Sequence, residues 1–326
     1  MATPLRIATF NLENLDDKPG DKPTLAERVR VMRPQLVRLR ADVLVLQEVN
    51  GQEQGGARTL AALGSLIQGT QYAGYTMTHT KTAGNNPYDV RNLVILSRFP
   101  ILDAKQLKHD RAPQPKYQKV TASPPETEAS DVTWERPMLY AKLDLGAGRV
   151  LHLIDLHLKS KLPSAIDGQQ LNQYTWRTAS GWAEGFFIST IKRVGQALEA
   201  RILVDEIFDA EPDAFIAVCG DFNDDSHDLA VTTIRGPVEE TGNPALGPRV
   251  LVPCESTVPG TSRYSLWHLG HGNMLDHVLV SRPLLAYYRG TAIHNENLPD
   301  ESGAFRTDVN FPESDHAPVV AEFELP

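Results

Sequence analysis

The chain has 326 residues, 41% of them hydrophobic and 22% charged, an ordinary balance for a globular protein with enough apolar material for a large core. No apolar run approaches the roughly 18–20 residues needed to cross a bilayer. With 32 basic against 41 acidic residues the net charge is −9, which argues against a tight, passive nucleic-acid binder with a basic surface.

That charge is compatible with an enzyme that meets phosphate through bound cations, because such a site needs acids to hold the metal. Two cysteines, Cys219 and Cys254, make neither a disulfide framework nor a zinc site. Cys219 ends the apolar run FIAVCG and reads as a small buried hydrophobe. The opening MATPLRIATF carries no basic and apolar secretory pattern, so a cytoplasmic location is expected.

In chain order, Ile7–Phe10 and Val43–Leu46 read as strands, joined by a helical pattern over Thr24–Arg40 with apolar residues at Leu25, Val29, Met32, Leu36 and Leu39. Thr24 and Glu27 have the spacing of a capping box, and Pro34 predicts a kink or break. Leu93–Leu96, Leu139–Leu145, Val150–Leu156 and Phe215–Cys219 are further strands, and Met274–Val280 and Pro318–Phe323 complete the set. A second helix is expected over about Ile188–Phe208. Two stretches lack strand signals: 106–135, read as a long surface loop, and 160–185, read as an insertion carrying Trp176 and Trp182. No repeat or linker divides the chain, so one catalytic domain over 1–326 is expected, as a monomer.

The polar residues fall at strand termini. Asn11, Glu48, His157 and Asp221 lie at or just beyond strand ends, whereas Asp276, Asp315 and His316 lie at strand beginnings. In a sheet with antiparallel neighbours such ends and beginnings share one rim. Carboxylates with an asparagine and histidines suit a hard cation, Mg²⁺ or Mn²⁺, which would neutralise phosphate oxygens. The two histidines would divide the acid and base duties, one of them held in its tautomer by Asp276 or Asp315.

The segments ATFNLEN, LVLQEV, IDLHLKS, CGDFND, LDHVLVS and SDHAPVV resemble, in order, the signature of the endonuclease/exonuclease/phosphatase superfamily. The resemblance implies a four-layer α/β-sandwich, with two mixed β-sheets packed face to face and helices outside. It implies Glu48 as main metal ligand with Asn11 and Asp315 beside it. Asp221 and Asn223 would orient water or bind phosphate, His316 positioned by Asp276 would be the general base, and His157 would stabilise the pentacovalent state or assist the leaving group. Family members often have asparagine two residues before that histidine, where this chain has Asp155. Arg136, Lys159, Arg91 and Asn92 are candidate phosphate or cleft contacts, and Lys161 shares that reading.

Each motif alone has a plainer explanation: GDFND as a turn, SDHAP as an Asx turn, LQEV as a strand end. Alternation turns His277 away from Asp276's face, and His152 reads as sheet packing. Trp176 and Trp182 read as packing before stacking on a base or entering a membrane surface. The expected function is divalent-metal-dependent hydrolysis of phosphodiesters with nucleic acid as substrate. The alternatives are a phosphatase or a lipid phosphodiesterase acting on a small phosphoester or phospholipid, and a non-catalytic scaffold.

Overall fold

The computed structural model describes residues 3–303 and 310–326. Twelve strands form two sheets: β1 (Thr3–Leu15), β2 (Val43–Val49), β3 (Thr76–His79), β4 (Asn92–Ser97), β5 (Ile101–Leu107), β6 (Met138–Gly146), β7 (Arg149–His157), β8 (Phe215–Asp221), β9 (Leu251–Pro253), β10 (Asp276–Ser281), β11 (Tyr288–Ile293) and β12 (Val319–Leu325). The helices that matter here are α1 (Leu25–Leu39), α2 (Ala61–Ile67), α3 (Ala179–Ala210) and α4 (Leu229–Arg235).

The first sheet has the order β11-β12-β1-β2-β4-β3 and the second β9-β10-β8-β7-β6-β5. Each has one parallel pair at its centre, β1 with β2 and β7 with β8, and antiparallel neighbours elsewhere. A parallel pair requires a crossover, and α1 and α3 supply the two.

Strand alternation sorts the side chains into layers. Leu5, Ile7, Val43 and Val45 of the first sheet pack against Leu151, Leu153, Ala217, Cys219, Val278 and Val280 of the second. The opposite face of the first sheet, with Ala8, Phe10, Leu44 and Leu46, is covered by Met32, Leu36 and Leu39 of α1 and by α2. The opposite face of the second, with Ile154, Leu156, Ile216 and Val218, is covered by Leu203, Val204 and Ile207 of α3 and by α4. The protein is therefore the expected four-layer α/β-sandwich.

All eight expected strands form. The four that sequence patterning did not reveal, β3, β5, β9 and β11, are the four sheet edges. Edge strands face solvent and need no apolar run; β5 is exposed or half-buried at every residue but Leu107.

Three expectations need correction. Pro34 neither breaks nor ends α1, which runs on to Leu39 from the Thr24–Glu27 capping box. Arg30 and Pro34 both lie on its exposed side, where a carbonyl left without its intrahelical donor is open to solvent. Helix α3 starts at Ala179, so the last part of the 160–185 stretch is helical, capped by Thr178. The 106–135 stretch begins inside β5 and is tied down by two buried carboxylates of α3. Glu199 accepts hydrogen bonds from the backbone of His109, Asp110 and Arg111 and from Trp134 Nε1. Glu184 accepts from Tyr117, Val120 and Thr121.

Candidate active site

The inner faces of both sheets turn from apolar to polar toward one end. Following Leu5 and Ile7 inward come Thr9 and Asn11; following Val43 and Val45 comes Gln47; following Leu151 and Leu153 come Asp155 and His157; following Ala217 and Cys219 comes Asp221. Register aligns His157 with Asp221, and Asp221 with Asp276. The two sheets thus present one polar rim, built by period-2 alternation.

Asp221 Oδ2 is its centre. It accepts hydrogen bonds from Asn11 Nδ2 at 3.0 Å and Asn223 Nδ2 at 3.1 Å, and lies 3.4 Å from His157 Nε2 and 3.9 Å from His316 Nε2. The second oxygen of Asp221 accepts from Asn223 N at 2.9 Å. Gly220 shapes the strand here: at φ 134° its missing Cβ would lie 1.9 Å from the Leu156 carbonyl oxygen, so only glycine lets β8 lie this close to β7. Burial pushes the Asp221 carboxyl up to about 7, against the pull of His316.

His316 Nδ1 is 2.7 Å from Asp276 Oδ2. Burial lowers the imidazole's pKa, but Asp276 and Asp221 outweigh it and hold it well above the usual histidine range. His157 moves the other way: burial first, then Arg136 and Arg91, push it well below that range, which favours the neutral imidazole. Its Nε2 is 3.5 Å from Glu48 Oε1. The two rings are shifted in opposite directions around one carboxyl group, which suits them to different duties.

Glu48 accepts a hydrogen bond from Asn14 N at 3.0 Å. Asp315 N donates to Glu13 Oε2 at 3.0 Å. Burial and the neighbouring acids raise Asp315 to about 6, and burial and Asp315 raise Glu13 to about 8. Glu13, two residues beyond Asn11, escaped the sequence reading, because its left-handed backbone and the register shift after Asn11 break the strand alternation there. Arg28 of α1 holds this turn by donating to the Leu12 and Glu13 carbonyls.

Among the described residues, the buried oxygens Asp315 Oδ1 and Asp276 Oδ1 have no hydrogen-bond partner. Crowded carboxylates with orphaned oxygens fit a hard divalent cation. Among the described residues, the acid and histidine ligand atoms converging within 4.8 Å are those of Asp221, Asp276 and His316. Of these, Asp276 and His316 already spend an atom on each other. Asn11 turns its amide nitrogen to Asp221 while its oxygen accepts from Glu13 N at 2.9 Å, an arrangement that holds Asp221 in place.

The four cleft candidates separate. Arg91 Nε is 3.9 Å from Glu48 Oε1 and donates to Asn14 Oδ1 at 3.2 Å. Arg136 NH1 donates to the His157 carbonyl at 3.3 Å. Asn92 is fully buried; its side chain bonds Val49 O, Tyr88 O, Tyr88 N and Thr80, so it builds a loop and does not face the cleft. Lys159 Nζ turns to Ser160 and to the Leu162 carbonyl of its own loop, and Lys161 pairs with Asp228. His277 faces away as alternation requires, buried against Glu255 at 2.6 Å. His152 is sheet packing, 2.8 Å from Tyr140 OH. Trp176 packs beside Ile166 and Ile188, whereas Trp182 is exposed and stacks on Phe186.

Five non-glycine residues here adopt left-handed backbone: Glu13 (φ 46°), Asn14 (51°), Glu48 (57°), Arg91 (59°) and Asn223 (52°). Each conformation costs about 1 kcal/mol or more, and such strain collects at functional sites.

A family model described as the endonuclease/exonuclease/phosphatase family matches residues 8–316. A search of curated proteins finds no match. Among solved structures, a protein of that family from Bacteroides thetaiotaomicron is 15% identical with a TM-score of 0.59, covering 100% of this chain and 96% of its own. TDP2 from D. rerio, complexed with a single-strand DNA product, is 16% identical with a TM-score of 0.55 over 98% and 99% of the two chains. The 3′ phosphatase NExo from Neisseria, bound to a product DNA hairpin, is 16% identical with a TM-score of 0.52 over 98% and 99%. At these identities the likeness is one of fold.

Proposed function

Since the chain belongs to the endonuclease/exonuclease/phosphatase family, whose members are phosphoester hydrolases, we propose that it hydrolyses phosphodiesters of nucleic acid with the help of a divalent cation, Mg²⁺ or Mn²⁺. The observation that carries this reading is the pair of imidazoles on either side of Asp221 Oδ2, His157 Nε2 at 3.4 Å and His316 Nε2 at 3.9 Å, the first pushed below and the second above the usual histidine range. Hydrolysis of a phosphodiester needs a proton acceptor at the water and hydrogen-bond donors at the phosphoryl group, and one uniform cluster of acids would supply only the first.

Glu48 and Asp315 are the residues assigned to hold the cation, which supplies charge neutralisation at the phosphate when bound. Asp221, steadied by Asn11 and Asn223, takes the proton from the attacking water as its oxygen bonds to phosphorus, while His316 carries the proton that Asp276 holds on it. His157 Nε2, as a neutral N–H donor, meets a phosphoryl oxygen. The P–O bond to the leaving group breaks and the leaving oxygen takes up the His316 proton, giving a phosphomonoester and an alcohol, and the proton gained by Asp221 then returns to His316. Arg136 and Arg91 add positive charge at the rim.

The test is a substrate panel of single-stranded DNA, RNA, sphingomyelin, inositol phosphates and mononucleotides, with Mg²⁺, Mn²⁺ or chelator. Cation-dependent cleavage of nucleic-acid diesters that Glu48→Gln abolishes is expected. Preference for a soluble monoester or a phospholipid over every nucleic-acid diester would overturn the proposal.

A further inference from the structure

Arg91 and Arg136 each have a second side. Toward the acids, Arg91 Nε lies near Glu48 and Arg136 NH1 near the His157 carbonyl. Away from them, both line a pocket of about 260 Å³ whose other walls include Tyr88, Val90, Leu93 and Pro137. The two arginines thus stand between the acid-lined cleft and a mainly apolar hollow.

We propose that this pocket seats one nucleobase of the strand being cut, next to the scissile phosphate, an assignment that rests on the phosphodiesterase reading. Three features select that occupant. Asp89 and Glu135 also line the pocket, so the two arginines are balanced and a second phosphate gains no net attraction there. The volume suits a one- or two-ring group and is too small for an acyl chain, which would also have to lie against four charged side chains. Guanidinium planes and a tyrosine offer stacking faces to a flat ring, and the two carboxylates offer acceptors to its amino or imino edge.

The pocket is also built in advance. Asn92 clamps both the N–H and the carbonyl of Tyr88, Asn50 Oδ1 accepts from Arg91 N at 2.8 Å, and Gly51 N donates to the Asp89 carbonyl at 2.9 Å. Asn92 therefore serves the substrate indirectly, by fixing the loop on which Arg91 stands. A pre-formed wall loses little entropy when a base enters.

The experiment compares short single-stranded DNA substrates cut at one phosphate, carrying a tetrahydrofuran abasic residue at each position in turn. In the wild type, removing the base at one position beside the cut should lower kcat/KM at least tenfold. In Val90→Trp, which fills the pocket from a residue 47% exposed, the ratio between base-bearing and abasic substrate should fall toward one. Tyr88→Ala, which removes a wall, should do the same if Val90→Trp does not fold. A wild type indifferent to every abasic position overturns the pocket while leaving the phosphodiesterase reading intact, as does an undiminished ratio in both variants. Binding is read separately from the ¹⁹F resonance of a 5-fluorouracil dinucleotide. A shift in the wild type that Val90→Trp abolishes supports the pocket even if no diester is cleaved, in which case the reading of the reaction fails alone. No shift in the wild type counts against the pocket.

Discussion

Asn11 and Asp221, 210 positions apart in the chain, are joined by a 3.0 Å hydrogen bond that links the central strand of one sheet to the central strand of the other. The bond crosses the sandwich at the point where its apolar interior gives way to the cleft. Its donor is held by a second bond to Glu13 N, so the aspartate is aimed by backbone geometry on both sides.

Removing that donor should be costly in two ways. Asn11→Ala leaves a buried carboxylate short of a partner, a loss of about 1–3 kcal/mol, and frees Asp221 to turn. A fall in kcat/KM of roughly 10–100-fold is expected, together with a lower urea midpoint. Full activity in a stably folded Asn11→Ala protein would remove Asn11 from the site.

Asp276 acts through His316. Asp276→Asn keeps the shape but replaces the carboxylate by an amide, which no longer fixes the same tautomer or supports the imidazolium. Comparable changes in acid–base dyads cost roughly 10⁴-fold in kcat, and a loss of at least 100-fold is expected here, with KM little changed. Steady-state kinetics across pH 5–9 check it: the mutant profile should lose its dependence on the His316 group.

Asp155 stands where the resemblance expects asparagine, and its carboxyl is completely buried, with Oδ1 accepting from Gln47 Nε2 at 2.8 Å and Oδ2 without a partner among the described residues. Burial holds its pKa well above 3.8, only partly countered by Gln47. An acid whose folded pKa exceeds its unfolded value takes up a proton on folding, so stability falls as pH rises from about 4 toward the folded value. Asp155→Asn keeps the Gln47 bond and removes that dependence. The melting temperature at pH 7 should rise by about 2–4 °C, with little gain at pH 4. Equal gains at both pH values would contradict the account.

Gly51 faces the loop that carries Arg91. A Cβ there would lie 2.5 Å from the Tyr88 carbonyl oxygen and 2.6 Å from Arg58 Cδ, closer than packed atoms allow. Gly51→Ala should shift the loop and lower kcat/KM about tenfold through misplacement of Arg91. An unaltered rate with an unaltered melting temperature would show that the loop yields without consequence.

The interior of the fold was legible in the chain because interior strands are buried on both faces and read as apolar runs. Six spaced motifs fixed the order of the polar residues at the ends of those strands, and strand alternation alone turned His277 away from Asp276. The four edge strands were illegible for the same reason in reverse: with one side in water, residues such as Asp103, Lys105 and Gln106 satisfy β5 as well as apolar ones do.

Tertiary structure decided what a linear pattern cannot carry. It made Asp221 the shared partner of Asn11, Asn223 and two histidines, and it shifted those histidines in opposite directions, His157 downward by burial and then Arg136 and Arg91, His316 upward against burial by Asp276 and Asp221. It took Asn92 out of the cleft and used it to build the loop beneath Arg91. It also anchored the 106–135 stretch on Glu184 and Glu199. Residue type and spacing fix which chemistry is available. Distances and burial fix the charge each group carries, and these depend on neighbours brought together only by packing two sheets face to face.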